Sequence, residues 1–165
     1  MQTGIWLLAG LVALAMLGVV ALAGYSRWAP LPTGRLADHP GPQPRGQHTL
    51  EGGVKYVLPL GQLPQGGVAR LLDLVRETPR TEECPAADGY SFVHRSRLFG
   101  FPDITRIWVA DGHLHIHSHL VIGRSDLGVN AARLTTWLKL LYAQPGREAG
   151  TARVAPDRDI QAHVA

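Results

Sequence analysis

Charge is missing from the first 25 residues of this chain; all 16 Lys and Arg and all 13 Asp and Glu lie after Tyr25. The net charge of +3 therefore belongs wholly to the remainder. Cysteine is nearly absent: Cys84 stands alone, which excludes an internal disulfide and any Cys-x-x-Cys zinc or redox motif. Lysine is confined to Lys55 and Lys139. The arginines are scattered among acids, with no basic run and no aromatic-plus-basic pattern, so the footprint of a nucleic-acid binder is missing. A single long apolar run excludes a transporter or channel, because one span encloses no path.

That run, IWLLAGLVALAMLGVVALA over 5–23, reaches the ~20 residues a helix needs to cross a hydrocarbon core. Trp6 near one end and Tyr25 and Trp28 near the other sit where aromatic belts form. A retained single-pass anchor over 1–28 is the expectation. The rival is a cleaved signal peptide, since Ala21-Leu22-Ala23 fits a small-x-small site. Against it, the opening MQTG has no Lys or Arg and the run exceeds the usual signal core. Tyr25 after Leu22-Ala23-Gly24 removes the lipobox cysteine. Arg27 and Arg35 on the C-terminal side favour a cytoplasmic domain but leave the side open.

Residues 29–48 hold five prolines and three glycines. Such a stretch buries too little to fold alone and is expected to be a linker holding the domain off the bilayer. A domain is expected over 49–145. Val54–Leu58 reads as a strand, and Val68, Leu71, Leu72 and Val75 fall on one helical face, closed by Pro79. A polar loop over 80–89 follows. Tyr90–Phe99, Arg106–Ala110 and His113–Ile122 read as strands, the last two joined by Asp111-Gly112, a hairpin turn. Leu134, Trp137, Leu138, Leu141 and Tyr142 mark a second helical face, with Asn130 as N-cap and Pro145-Gly146 as stop. The order β-α-β-β-β-α predicts an α+β two-layer sandwich, an antiparallel sheet with both helices on one face. Residues 146–165 read as a disordered tail.

Three constellations carry chemistry. His113, His115, His117 and His119 alternate along a strand and share a face, about 6.6 Å between neighbours at a ~3.3 Å rise per residue, which offers imidazoles to zinc or copper. Their plainer reading is the wet outer face of a half-buried strand. Arg95 and Arg97 share a face on the Tyr90–Phe99 strand, and if that strand pairs near the histidine strand the outer sheet face becomes cationic. Gly123 to Asn130 packs two glycines, Arg124, Ser125, Asp126 and Asn130 between a strand and a helix. It suits either an anion or polar-ligand pocket, with Arg124 and Arg133 as donors, or a rigid connection whose polar groups satisfy each other. Phe99-Gly100-Phe101-Pro102-Asp103 is a second turn, whose aromatics cap the core.

Gly-Arg-Ser-Asp-Leu-Gly-Val-Asn at 123–130 with Ala-Ala-Arg at 131–133, and Arg-Ser-Arg-Leu-Phe-Gly-Phe-Pro-Asp at 95–103, resemble a bacterial and plastid family catalogued as a domain of unknown function, number fourteen-ninety-nine. The resemblance covers about residues 88–142. Leu120 and Val121 stand where the family shows serine and arginine, His117 and His119 where it shows arginines, and Cys84-Pro85 does not clearly replace its upstream cysteine region. The resemblance implies no activity; with the anchor it points to a bacterial inner membrane.

The expected function is a non-enzymatic, membrane-anchored binding or accessory module for a small anion, a lipid headgroup or a protein, through Arg124, Ser125, Asp126, Asn130, Arg133, Arg95 and Arg97. The alternatives are a hydrolase built on Ser125 and Asp126, and metal binding by the histidine strand. No cofactor is expected beyond that metal, and no nucleic-acid partner.

Overall fold

The computed structural model describes residues 2–28, 30–31, 34, 36 and 39–143. Helix α1 (Gln2–Trp28) is long and apolar enough to cross a membrane. Strands β1 (Gly46–Leu50) and β2 (Gly53–Pro59) follow, then a 3-10 turn (Leu60–Gln62) and α2 (Gly67–Arg76). Strands β3 (Thr81–Cys84), β4 (Tyr90–Arg95), β5 (Pro102–Ala110) and β6 (His113–Leu120) lead to α3 (Val129–Tyr142). Among the described residues the six strands form one antiparallel sheet in the order β1-β2-β6-β5-β4-β3. The α+β class stands.

Two strands lie where the sequence pattern is silent. β1 occupies the end of the Pro/Gly-rich stretch, and β3, TEEC, occupies the polar loop. Both are sheet edges, so each needs a partner on one side only and tolerates polar side chains. The sequence-expected strand Tyr90–Phe99 stops at Arg95, because Ser96 N donates to Phe101 O and Gly100 N to Ser96 O, closing a hairpin tip. Asp111 and Gly112, both at positive φ (50° and 71°), make the tight β5–β6 turn, the geometry a two-residue hairpin requires.

The core lies between the helices and one sheet face. Val54, Phe92 and Ile107, one from each of β2, β4 and β5, with Leu114 and Ile116, two apart on β6, meet Leu71, Leu72 and Val75 of α2 and Leu134, Trp137 and Leu141 of α3. Each such side chain contributes about 1.5–3 kcal/mol by leaving water. Tyr142 is an exception to the expected helical face; it is 45 % exposed at the last turn.

The opposite face is also covered. Described residues of the stretch expected as a linker lie on it: Lys55 Nζ donates to Pro40 O and Gly41 O (3.2 and 2.9 Å), and Ser91 Oγ to Leu36 O (3.1 Å). Leu36, Pro40 and Gly41 thus form a strap across the sheet. Expectations for the tail at 146–165 and for Pro145-Gly146 fall outside the described residues.

Candidate functional site

The β6–α3 connection is a wired turn. Asp126 Oδ1 accepts from Gly128 N (3.1 Å) and Oδ2 from Asn130 N (2.9 Å), while Ser125 Oγ accepts from Leu127 N (3.2 Å). Burial works against ionisation of Asp126, but hydrogen bonds from Asn130 and Gly128 outweigh it and hold the carboxyl below its ordinary value. Asp126, not Asn130, therefore caps α3; Asn130 is already inside the helix and fully buried.

Asn130 instead ends a polar chain through the core. Thr81 Oγ1 meets His94 Nδ1 (2.8 Å), His94 Nε2 meets Thr105 Oγ1 (2.9 Å), and Thr105 Oγ1 meets Ser118 Oγ (2.8 Å). Ser118 Oγ donates to Asn130 Oδ1 (2.7 Å), which also accepts from Arg133 Nη1 (2.8 Å). Arg133 Nη2 donates to Asp103 Oδ2 (3.1 Å). Arginine only donates, so the amide oxygen of Asn130 must face it, and every proton upstream is then assigned. Ser118 donates to Asn130, Thr105 to Ser118, the Nε2–H of His94 to Thr105, and Thr81 to Nδ1. His94 is neutral in this arrangement. Burial foremost, then the charge of Arg133, lowers its pKa to about 3. Burial likewise raises the Asp103 carboxyl against the pull of Arg133. Ser125, Asp126, Asn130 and Arg133 thus serve the turn and the core.

Two of the four histidines depart from the wet face expected, while His113 and His115 are half-buried. His117 and His119 are each 5 % exposed, and across β2-β6-β5 the register sets Lys55, His117 and Arg106 side by side, with Lys55 at 1 % and Arg106 at 0 %. The strap explains the difference by taking the place of water. Arg106 Nη2 donates to Asp88 Oδ1 (2.7 Å) and lies 2.9 Å from His39 Nε2. Burial pulls the Lys55 ammonium and, first among several causes, the His115 imidazole below their ordinary values. His115 stacks on Trp108 (5.0 Å between ring centroids, 9° between planes) and His117 on His119 (4.5 Å, 16°). Imidazole binds a metal in its ring plane, and two nearly parallel planes do not meet at one ion. Among the described residues no group of three or more His, Cys, Asp or Glu is placed to hold a metal. Arg124 is exposed at the rim of a cavity of about 570 Å³ that His117, His119, Glu51, Gly52 and Gly123 also line.

Arg95 and Arg97 lie elsewhere. The tip of the β4–β5 hairpin grips the last turn of α1: Ser26 Oγ donates to Phe99 O, Arg27 Nη2 to Leu98 O (2.9 Å), and Arg95 Nη1 to Ser26 O (2.8 Å). Ser26 is buried although the rest of α1 is exposed or nearly so. Gly100 (φ 72°) sits so close to Arg27 that a Cβ there would overlap the arginine stem. Beside this junction opens a cavity of about 440 Å³ lined by Arg27, Trp28, Arg80, Arg95, Arg97 and Glu82. The sequence separates Arg27 and Arg80 from Arg95 and Arg97 by whole elements, and no spacing pattern joins them. The sole hint was Arg27 flanking the apolar run.

The family described as Protein of unknown function (DUF1499) matches residues 49–141. The chain belongs to this family. Comparison with curated proteins and with solved structures gives no match. The DUF1499 match begins inside β1 and ends in α3, so it takes in the polar chain, the wired turn and three arginines of the junction cavity. Arg27 and Trp28, which complete that cavity, precede the matched DUF1499 segment.

Proposed function

We propose that this DUF1499 member is a single-pass, membrane-anchored, non-enzymatic binding module that holds the phosphate of an anionic phospholipid between the end of α1 and the β4–β5 tip. One observation carries the reading. Four arginines (Arg27, Arg80, Arg95 and Arg97) line one cavity beside Trp28, against the single acid Glu82, where a helix of spanning length meets the sheet. Guanidinium forks match phosphate oxygens in pairs, and Trp is favoured at headgroup depth.

The retained anchor is supported by α1 itself. The helix runs unbroken through Ala21–Ala23 to Trp28, and its last turn is hydrogen-bonded to the hairpin tip. The arginines at its C-terminal end favour the cytoplasmic side of a bacterial inner membrane, where anionic lipid is available. The hydrolase reading loses support because Ser125 and Asp126 spend their hydrogen bonds within the turn.

Native mass spectrometry on the full chain, released from mixed phosphatidylcholine–phosphatidylglycerol vesicles, tests the proposal. Phosphatidylglycerol is expected to stay bound in preference to phosphatidylcholine, and Arg97→Ala to lower that preference about tenfold. Equal retention of the two lipids contradicts the reading. The same spectrum reports the N-terminus of cell-derived protein: an intact first residue supports the anchor, and a chain beginning at Gly24 refutes it.

A further inference from the structure

The wired turn before α3 carries an unexplained feature. Leu127 is 91 % exposed and sits at φ 51°, a conformation that costs a non-glycine residue roughly 1–2 kcal/mol. A leucine so placed returns nothing to the folded domain. Yet Ser125 and Asp126 hold the backbone on both sides of it through Leu127 N and Gly128 N. Ile122 (45 %) and Val129 (50 %) flank it, also exposed. The turn therefore holds an apolar side chain outward.

The sheet register shows where outward is. Leu120 pairs with Asp103, Arg95 pairs with Pro102, and Val121 N donates to Pro102 O. The turn after β6 and the tip between β4 and β5 thus leave the same end of the sheet. That tip carries Leu98, 72 % exposed, and grips the end of α1. The anchor therefore enters at the end where Leu98 and Leu127 both project, with Arg97 and Arg124 beside them.

From this we infer that the 122–129 turn is a second membrane contact. Leu127 enters the headgroup–acyl boundary, and Arg124 meets lipid phosphates beside it. The occupant is the bilayer that holds α1, by continuity with the docked helix, so the inference rests on the anchor reading above. Two separated contacts, the β4–β5 tip and this turn, stop the domain from swivelling about α1. Apolar residues ringed by arginine suit an anionic interface. The local strain at Leu127 is then offset by transfer out of water, which is favourable for a leucine.

The test places one environment-sensitive fluorophore at a time on the full chain, in a Cys84→Ser background, in phosphatidylcholine–phosphatidylglycerol vesicles doped with quencher-bearing lipid. Leu127→Cys is the probe site. Met16→Cys reports the span, and Gln62→Cys, on the exposed turn after β2 at the opposite end of the sheet, reports bulk solvent. The expected result is strong quenching at 16, clear quenching at 127 and none at 62. Quenching at 16 with 127 as unquenched as 62 overturns the second contact and leaves the anchor standing. No quenching at 16 overturns both.

Discussion

Ser118 on β6 donates its hydroxyl proton to Asn130 Oδ1 on α3 at 2.7 Å, with both side chains fully buried. The bond ties helix to sheet through polar atoms in the middle of an apolar layer, and it orders the hydroxyls of Thr105 and Thr81 and the ring of His94. Buried chains of this kind depend on the satisfaction of their members; here the hydroxyls, both ring nitrogens of His94 and Asn130 Oδ1 are paired, while Asn130 Nδ2 is buried with no partner among the described residues.

Asn130→Ala removes the acceptor of both Ser118 and Arg133. Each loses a charge-assisted or buried bond, and the expected cost is about 2–4 kcal/mol of unfolding free energy. Chemical denaturation of the full chain in detergent checks it. A loss within ~0.5 kcal/mol, typical of an ordinary surface change, would show that the chain is not a unit.

Stability should fall with acid earlier than for a domain with exposed histidines. The folded pKa of His94 is about 3 against an ordinary 6.5, so between those values the unfolded chain binds a proton that the folded chain refuses. Unfolding free energy then drops as pH falls, by about 1.4 kcal/mol per unit. Lowered His115 acts in the same direction. The raised Asp103 opposes the trend where it titrates, so the slope is read in the upper part of the window, just below about 6.5. His94→Gln should flatten the slope by about one proton; an unchanged slope would contradict the assignment.

Asp126→Ala removes the cap of α3 and should cost about 1–2 kcal/mol. Phosphatidylglycerol retention at the junction cavity should stay unchanged, because Asp126 is not among its walls. Parallel denaturation and native mass spectra separate the two roles.

Gly100→Ala places a Cβ against Arg27 at a positive φ. The expected outcome is a loosened α1–hairpin contact, read as faster amide exchange across 96–101, with the core strands unaffected.

Much of this fold was legible from residue spacing. The alternation of Leu114, Ile116 and Ser118, the helical faces at 71–75 and 134–141, and the Asp111-Gly112 turn each follow a period that packing requires. β1 and β3 were not legible, since an edge strand needs neither alternation nor apolar residues. The covered histidine face was hidden because its cover is a proline-rich strap held by backbone carbonyls of Leu36, Pro40 and Gly41, which any sequence supplies, and by the side chain of His39. Of the site residues, Asp126 and Asn130 were visible as a polar turn before a helix. Their division between capping and core hydrogen bonding was not, as it depends on Ser118 and Arg133 arriving from other elements. The junction cavity was invisible for a similar reason: Arg27, Arg80, Arg95 and Arg97 converge only through the docking of α1 on the hairpin tip.

The most direct test of the central claim is photo-crosslinking of the full chain in vesicles with a phosphatidylglycerol analogue bearing the reactive group on its headgroup. Crosslinks concentrated at Arg27–Trp28 and Arg95–Gly100, and reduced by Arg97→Ala, are the predicted result. Crosslinks spread evenly over the domain, or matched by a phosphatidylcholine analogue, would contradict a phospholipid site at the junction of anchor and sheet.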